Sequence, residues 1–358
     1  MKIKKINVWK SNLGLTRPYS IAYKSVDSVA CCFVEIIAEG DLSGLGSCNP
    51  SKQVVGEDVD DAIAVLSEEN LDWLIEQDIR HINTLCNQLV ERFPENPGAR
   101  AALDIALYDI FSRYLGVPLV SFLGGSTDQK LPTSITIGIK NVQETLEEAE
   151  EYVGNGFTNL KVKLAGNSLD EDIERLTRLN EKYGKNVKIR IDPNQSYSLS
   201  MLQDFYYKTI ALDLEIIEQP LTVEDSLQMR KLPADIKKVI ALDEALVSPY
   251  DAFTLATKPS AGGIFNIKLM KCGGVHQARE IATIAKNSGI SLMWGCNDES
   301  RVSIAAALHA AFAQPHTRYI DLDGSFDLAE DLVSGGFTVT NGMMQVTEKP
   351  GLGVERIN

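Results

Sequence analysis

Lys163, Asp192, Glu218, Asp243 and Lys268 follow one another at intervals of 29, 26, 25 and 25 residues, and Asn297 and Asp321 continue the series at 29 and 24. Each closes a short apolar run and stands just before a turn. One strand, one loop and one helix use about that much chain, and parallel strands need such crossovers. The spacing predicts a βα barrel with one polar or charged group at the C-terminal end of each successive strand. Active sites of such barrels lie on that face.

Eight strands are expected between residues 134 and 322, with helical spacing between them as in 145–153, 170–183, 275–287 and 302–312. No full-length helix follows the eighth strand, so the fold class is α/β, a (β/α)7β TIM-like barrel over residues 126–335. Residues 1–125 read as a separate α+β unit. It holds strands from Ile3 and over 29–38, and an amphipathic helix over 99–115 that Gly116-Val117-Pro118 stops. The Gly-rich tail, about 336–358, is expected to return onto this unit.

The net charge of −14 argues against nucleic acid or an anionic membrane as partner, since both are bound through basic patches. No run approaches the roughly 18 apolar residues of a membrane span. The six cysteines form no CxxC pair and no disulfide framework. These features suggest a cytoplasmic protein with free thiols.

Asp192, Glu218 and Asp243 end three consecutive strands. Adjacent strands lie about 4.8 Å apart, so three carboxylates can converge on one hard cation, and Mg²⁺ suits that donor set. Each acid alone is equally a helix N-cap; three in register are a candidate metal site. Lys161 and Lys163 are two apart and share a face. Lys268 lies four strands on, across the barrel mouth. Lysines aimed into a barrel either neutralise the acids or act as an acid/base pair on opposite sides of a bound substrate. Asp321 and Asp323, also at i and i+2, either grip an ammonium together or are solvated turn acids.

The chain resembles the enolase superfamily in its muconate-lactonizing subgroup. The resemblance rests on Lys161-x-Lys163, Asp192-x-Asn194, Glu218-Gln-Pro, Asp243–Glu244, Asn266-Ile-Lys268 and the segments 101–109 and 118–125, and covers nearly the whole chain. It implies an N-terminal capping domain over the barrel and an active site in which Mg²⁺ steadies the enolate formed when a lysine removes an α-proton. Asp321-Leu-Asp323 is similar to the doublet of dipeptide epimerases. That likeness implies a two-base 1,1-proton transfer at the C-terminal residue of a dipeptide, with Lys163 and Lys268 exchanging the proton. The alternatives within the subgroup are an N-acylamino acid racemase, an o-succinylbenzoate synthase or a muconate cycloisomerase. Lys161, Thr136, Lys24 and Asp298 are the remaining candidate substrate contacts, with Ile137 as a pocket wall. Lys24 falls in segment 17–28, which looks like the capping loop and favours an acidic side chain on the substrate; Asp298 favours a cationic one. Ser47 stands where relatives often carry an acid after Gly44-x-Gly46. None of His81, His276, His309 and His316 sits at a strand end, which argues against a histidine base. Barrels of this kind often associate, so a homo-oligomer is possible.

Overall fold

A computed structural model describes residues 1–21, 24–164 and 168–357, the side chains of 18–21 and 24–26 excepted. The chain opens on an antiparallel sheet, β1 (Ile3–Ile21), β2 (Lys24–Ala38) and β3 (Ser43–Cys48), in the order β1-β2-β3. The first two strands are far longer than the apolar pattern predicts. Pairing runs from Ile3 with Ala38 to Ile21 with Lys24, so residues 17–21 and 24–28 are the distal part of these two paired strands. The sequence there carries no strand signal.

Helix α1 (Lys52–Val55) follows, then α2 (Val59–Val65), α3 (Ile82–Arg92) and α4 (Pro97–Leu115). The Glu57 carboxylate accepts from the backbone N–H groups of Gly98 at 2.6 Å and Ala99 at 3.1 Å. It thereby satisfies two of the orphan donors at the start of α4. Contrary to a one-faced amphipathic reading, α4 is buried nearly all round as far as Ile110, including Arg100, Asp104 and Asp109. It lies between the sheet and the barrel. On the sheet side a Cβ at Gly46 would come within 1.9 Å of the Ala102 carbonyl oxygen, and one at Gly44 within 2.5 Å of that of Ala106. Only glycine lets β3 approach this closely.

Eight parallel strands come next: β4 (Ile135–Ile137), β5 (Asn159–Lys163), β6 (Lys188–Asp192), β7 (Ile216–Glu218), β8 (Ile240–Leu242), β9 (Ile264–Ile267), β10 (Ser291–Gly295) and β11 (Thr317–Asp321). They pair strictly in sequence order, and Thr133 bridges Ile320 to close the ring. Helices α5 (Val142–Gly154), α6 (Leu169–Tyr183), α7 (Leu199–Thr209), α8 (Pro249–Ala256), α9 (Leu269–Cys272), α10 (Val275–Ser288) and α11 (Arg301–Phe312) stand among the crossovers. Short strands complete the chain, and β12 (Val333–Gly335) pairs with β15 (Val354–Arg356) while β13 (Phe337–Thr340) pairs with β14 (Met343–Val346). The tail touches the first unit: Leu352 N–H donates to Asp109 at 2.7 Å, and Arg113 donates to the Val354 carbonyl at 2.8 Å.

Asp104 ties α4 to the barrel. It is fully buried and accepts from Val275 N–H at 2.5 Å and His276 N–H at 3.3 Å, capping the start of α10. Burial pushes its carboxyl up to about 7. All six cysteines are free, and among the described residues no helix is long and apolar enough to cross a membrane.

The contact at Gly46 gives a direct test. Gly46→Ala forces β3 off α4, and overpacking of this kind costs about 1–3 kcal/mol. A lower urea midpoint at unchanged slope is expected; an unaltered midpoint would mean the contact is looser than described.

Candidate active site

Lys161 and Lys163 lie on β5, Asp192 ends β6 and Glu218 ends β7, while Asp243 and Lys268 stand one residue past β8 and β9. The register places Lys163 beside Asp192. Left-handed residues follow directly, Asn194 and Gln195 after Asp192 and Gln219 after Glu218. They turn the chain away at once and leave the acids at the mouth. Asn194 N–H returns to Asp192 Oδ1 at 2.9 Å.

These side chains form one buried ionic array. Lys161 Nζ lies 2.9 Å from Glu218 Oε2, 2.8 Å from Asp321 Oδ2 and 3.4 Å from Asp192 Oδ2. Lys163 donates to Asp192 Oδ2 at 2.6 Å and to Asn194 Oδ1 at 2.8 Å. Across the mouth, Lys268 Nζ lies 2.8 Å from Asp243 Oδ2. Lys271, which sequence reasoning missed, donates to Asp243 Oδ1 and to its carbonyl. Asn266 Nδ2 donates to Glu218 Oε1 at 3.0 Å, and Asn194 Nδ2 to Glu244 Oε1 at 3.0 Å.

The charges do not balance. Asp192, Glu218, Asp243, Glu244, Glu299 and Asp321 are buried and Asp323 is half-buried here, against Lys161, Lys163, Lys268 and Lys271. Burial, with Asp192 and Asp243 adding repulsion against Lys161, pushes Glu218 up to about 8. Burial and then Asp321 push Asp323 up to about 7, and burial does the same to Glu299. Asp243 goes the other way: burial would raise it, but Lys268 and Lys271 hold it well below the carboxylate range. For Lys268, burial would lower the ammonium, and Asp243 outweighs that and raises it. The surplus of acid fits a divalent cation at the Asp192–Glu218–Asp243 end, where a carboxyl held near neutrality is ready to exchange its proton for metal. Among the described residues, no three acid, thiol or imidazole groups are drawn into a closed ligand cage; lysines stand between the carboxylates.

The other end of the array is the Asp321–Asp323 doublet. Asp321 Oδ1 accepts from Ser134 Oγ at 2.5 Å, and Asp323 Oδ2 accepts from Thr136 N–H at 2.8 Å. Thr136 thus faces the site. Ile137, the next residue, takes the opposite face and lies in the core, so it is not a pocket wall. Asn297 lines the cavity over Lys268 with its amide tied to the first unit: it donates to the Asn49 carbonyl at 2.8 Å, and Asn49 donates to that of Asp298 at 2.6 Å. Val54 and Val55 of α1 roof the cavity over Glu244 and Lys268. The Lys24 side chain lies outside the described residues. Of the histidines, His309 is buried between Val120 N–H and the Leu352 carbonyl, and His316 meets the Ala282 carbonyl, all away from the mouth.

Comparison with known proteins agrees with this geometry. Residues 144–356 match the enolase C-terminal domain-like family, and residues 4–124 match the N-terminal domain of the mandelate racemase / muconate lactonizing enzyme family. The chain is 52% identical over 354 residues to the L-Lys-D/L-Arg epimerase of Methylococcus capsulatus, covering 99% of each. It is 49% identical over 357 residues to the L-Lys-D/L-Arg epimerase of Desulforapulum autotrophicum, covering all of both. The crystal structure of the dipeptide epimerase from Methylococcus capsulatus complexed with Mg and the dipeptide L-Arg-D-Lys superposes with a TM-score of 0.95 at 51% identity, over 99% of each chain.

A cation at the three carboxylates stabilises the fold by linkage. At about 100 times its dissociation constant, Mg²⁺ is expected to add about 2.7 kcal/mol, read as a higher melting temperature. Asp243→Asn should remove most of the Mg²⁺-dependent part. A melting temperature indifferent to Mg²⁺ would count against the site.

Proposed function

The chain belongs to the enolase superfamily, and we propose that it is the Mg²⁺-dependent dipeptide epimerase of that family whose substrates carry cationic side chains. It inverts the α-carbon of the dipeptide's C-terminal residue. The observation that carries this reading is the Asp321–Asp323 doublet, an acidic cradle joined through Lys161 to the proposed metal carboxylates. A free α-ammonium answers that charge. The substrates of N-acylamino acid racemases, o-succinylbenzoate synthases and muconate cycloisomerases bring no such group.

Asp192, Glu218 and Asp243 would hold Mg²⁺, which supplies an electrophile for the substrate's carboxylate as the α-proton leaves. Lys163 and Lys268 approach from opposite sides of the mouth, each tethered to one of these acids. One removes the α-proton as the neutral amine. The other, as the ammonium, delivers a proton to the opposite face, and the configuration inverts. Asp243 is what raises the Lys268 ammonium now. Once Asp243 is engaged elsewhere that support weakens, and burial, which favours the neutral amine, gains weight. Lys161 stays paired with Glu218 and Asp321 and favours their ionised forms. Asp321 and Asp323 hold the α-ammonium, and Thr136 fixes Asp323.

Both the named L-Lys-D/L-Arg relatives and the rim support cationic side chains. Asp327 is raised by burial, then lowered by Arg17, and raised again by the negative charges of Asp298, Glu148 and Glu151. These acids therefore share one neighbourhood, and Asp298 is the contact we propose for a guanidinium or ammonium side chain. The free cysteines suit a reducing compartment, the cytoplasm.

L-Arg-L-Lys incubated in D₂O with Mg²⁺ should gain α-deuterium and invert. A broad cationic library showing neither would falsify the reading. Lys268→Ala is expected to stop inversion while Lys163 continues exchange on one enantiomer, visible by NMR. Asp298→Asn should lower kcat/KM for cationic dipeptides about tenfold, the order of one lost charge contact, and leave uncharged dipeptides alone. Asp323 is protonated below about pH 7, so KM should climb as pH falls through 7, by up to tenfold per unit. A flat KM from pH 6 to 8 removes Asp323 from the grip.

A further inference from the structure

The inside of the barrel is chemically divided. Ile216, Ala241, Ile264 and Met293 form an apolar cluster of their own, with Tyr319 packed on it. On the remaining side stand Ser134, Lys161 and Arg190, all buried. An arginine 2% exposed inside a barrel is costly unless every donor has a partner. Here Nε donates to Glu215 Oε2 at 2.7 Å, and Nη1 donates to Ser134 Oγ at 2.9 Å and to the Ile320 carbonyl at 2.7 Å. The guanidinium also lies 5.4 Å from the Tyr319 ring centroid. Glu215, less buried, is steadied by Asn159 Nδ2 at 3.2 Å.

Ser134 is the link upward. Its hydroxyl accepts from Arg190, which leaves its proton for Asp321 Oδ1 at 2.5 Å. A hydroxyl has one proton to give, so the arginine below decides where it goes. A continuous column results: Glu215, Arg190, Ser134, Asp321, Lys161. Arg190 and Ser134 both favour the ionised form of Asp321, alongside Lys161. None of the column's lower members touches the mouth.

We propose that Ser134 and Arg190 are positioning residues for the dipeptide's α-ammonium. They hold the Asp321 carboxylate charged and in one orientation through hydrogen bonds made inside the barrel. The proposal rests on the ammonium reading of the Asp321–Asp323 cradle. Its signature is selectivity: the column matters to ligands with a free α-amino group and not to those without one.

The test compares two ligands on the Mg²⁺-loaded enzyme by calorimetry, L-arginylglycine and its desamino analogue 5-guanidinopentanoylglycine. Neither has a stereocentre at the glycine α-carbon, so inversion does not confuse the reading. In Ser134→Ala, affinity for L-arginylglycine should fall about tenfold, the scale of one charge-assisted hydrogen bond, while the analogue changes less than about twofold. Ser134→Thr keeps the hydroxyl and should discriminate as the unaltered enzyme does. Equal loss for both ligands, no loss, or a Ser134→Thr loss as large as that of Ser134→Ala overturns the proposal. Should Ser134→Ala fail to fold, Ser134→Cys keeps the volume with a weaker donor and carries the same comparison. An unaltered enzyme that binds both ligands equally overturns the ammonium reading itself, and the positioning role with it.

Discussion

Lys161 holds the site together. The residue is 4% exposed, and its ammonium sits among Asp192, Glu218 and Asp321, three acids from three strands. Burying those acids without it would leave like charges in a dry interior, where one or more would have to take up protons. With it, the proposed metal carboxylates and the proposed ammonium cradle become one electrostatic unit. A change at either end is felt at the other through a single nitrogen. Burial and the neighbouring acids raise Glu218 and Asp323, while against the same burial Lys161, with Lys163 for Asp192, brings Asp192 and Asp321 below their ordinary values.

The first unit and the barrel are joined by polar bonds from α4. Asp104 caps α10, and Asp109 accepts from Leu45, Arg113 and Leu352, so strand, helix and tail meet at one carboxylate. Gly273 and Gly274, just past Lys268 and α9, sit against Arg100 and Asp104 so tightly that a Cβ at Gly274 would lie 2.3 Å from Asp104 Oδ1. The segment bearing Lys268 and Lys271 is therefore clamped from outside the barrel. This supplies the rigidity that a two-base site needs.

Much of the barrel and the site could be read from the sequence because strands have period two and the crossover has a narrow length. Lys161, Lys163, Asp192, Glu218, Asp243 and Lys268 all obey that arithmetic. Arg190 and Ser134 obey it too, two residues before Asp192 and Thr136, but their partners come from strands far along the chain and no local pattern names them. Lys271 was missed because it lies one helical turn past Lys268, where the strand period no longer applies. Asn297 shows the same limit: spacing located the strand end but not the tie of its amide to Asn49 in the first unit. The distal part of the hairpin carries no apolar alternation to read, and α4 departs from a one-faced pattern because it is buried against both the sheet and the barrel as far as Ile110.

The joint at Asn49 has an evolutionary side. The loop after β10 is tied to the first unit by the Asn297 amide and by the backbone carbonyl of Asp298. The fastening thus uses an atom that every amino acid possesses. A change of side chain at position 298 leaves that bond's acceptor in place, so the proposed specificity contact can vary there while the proposed lysines and metal carboxylates stay as they are. A catalyst built this way separates what it does from what it does it to.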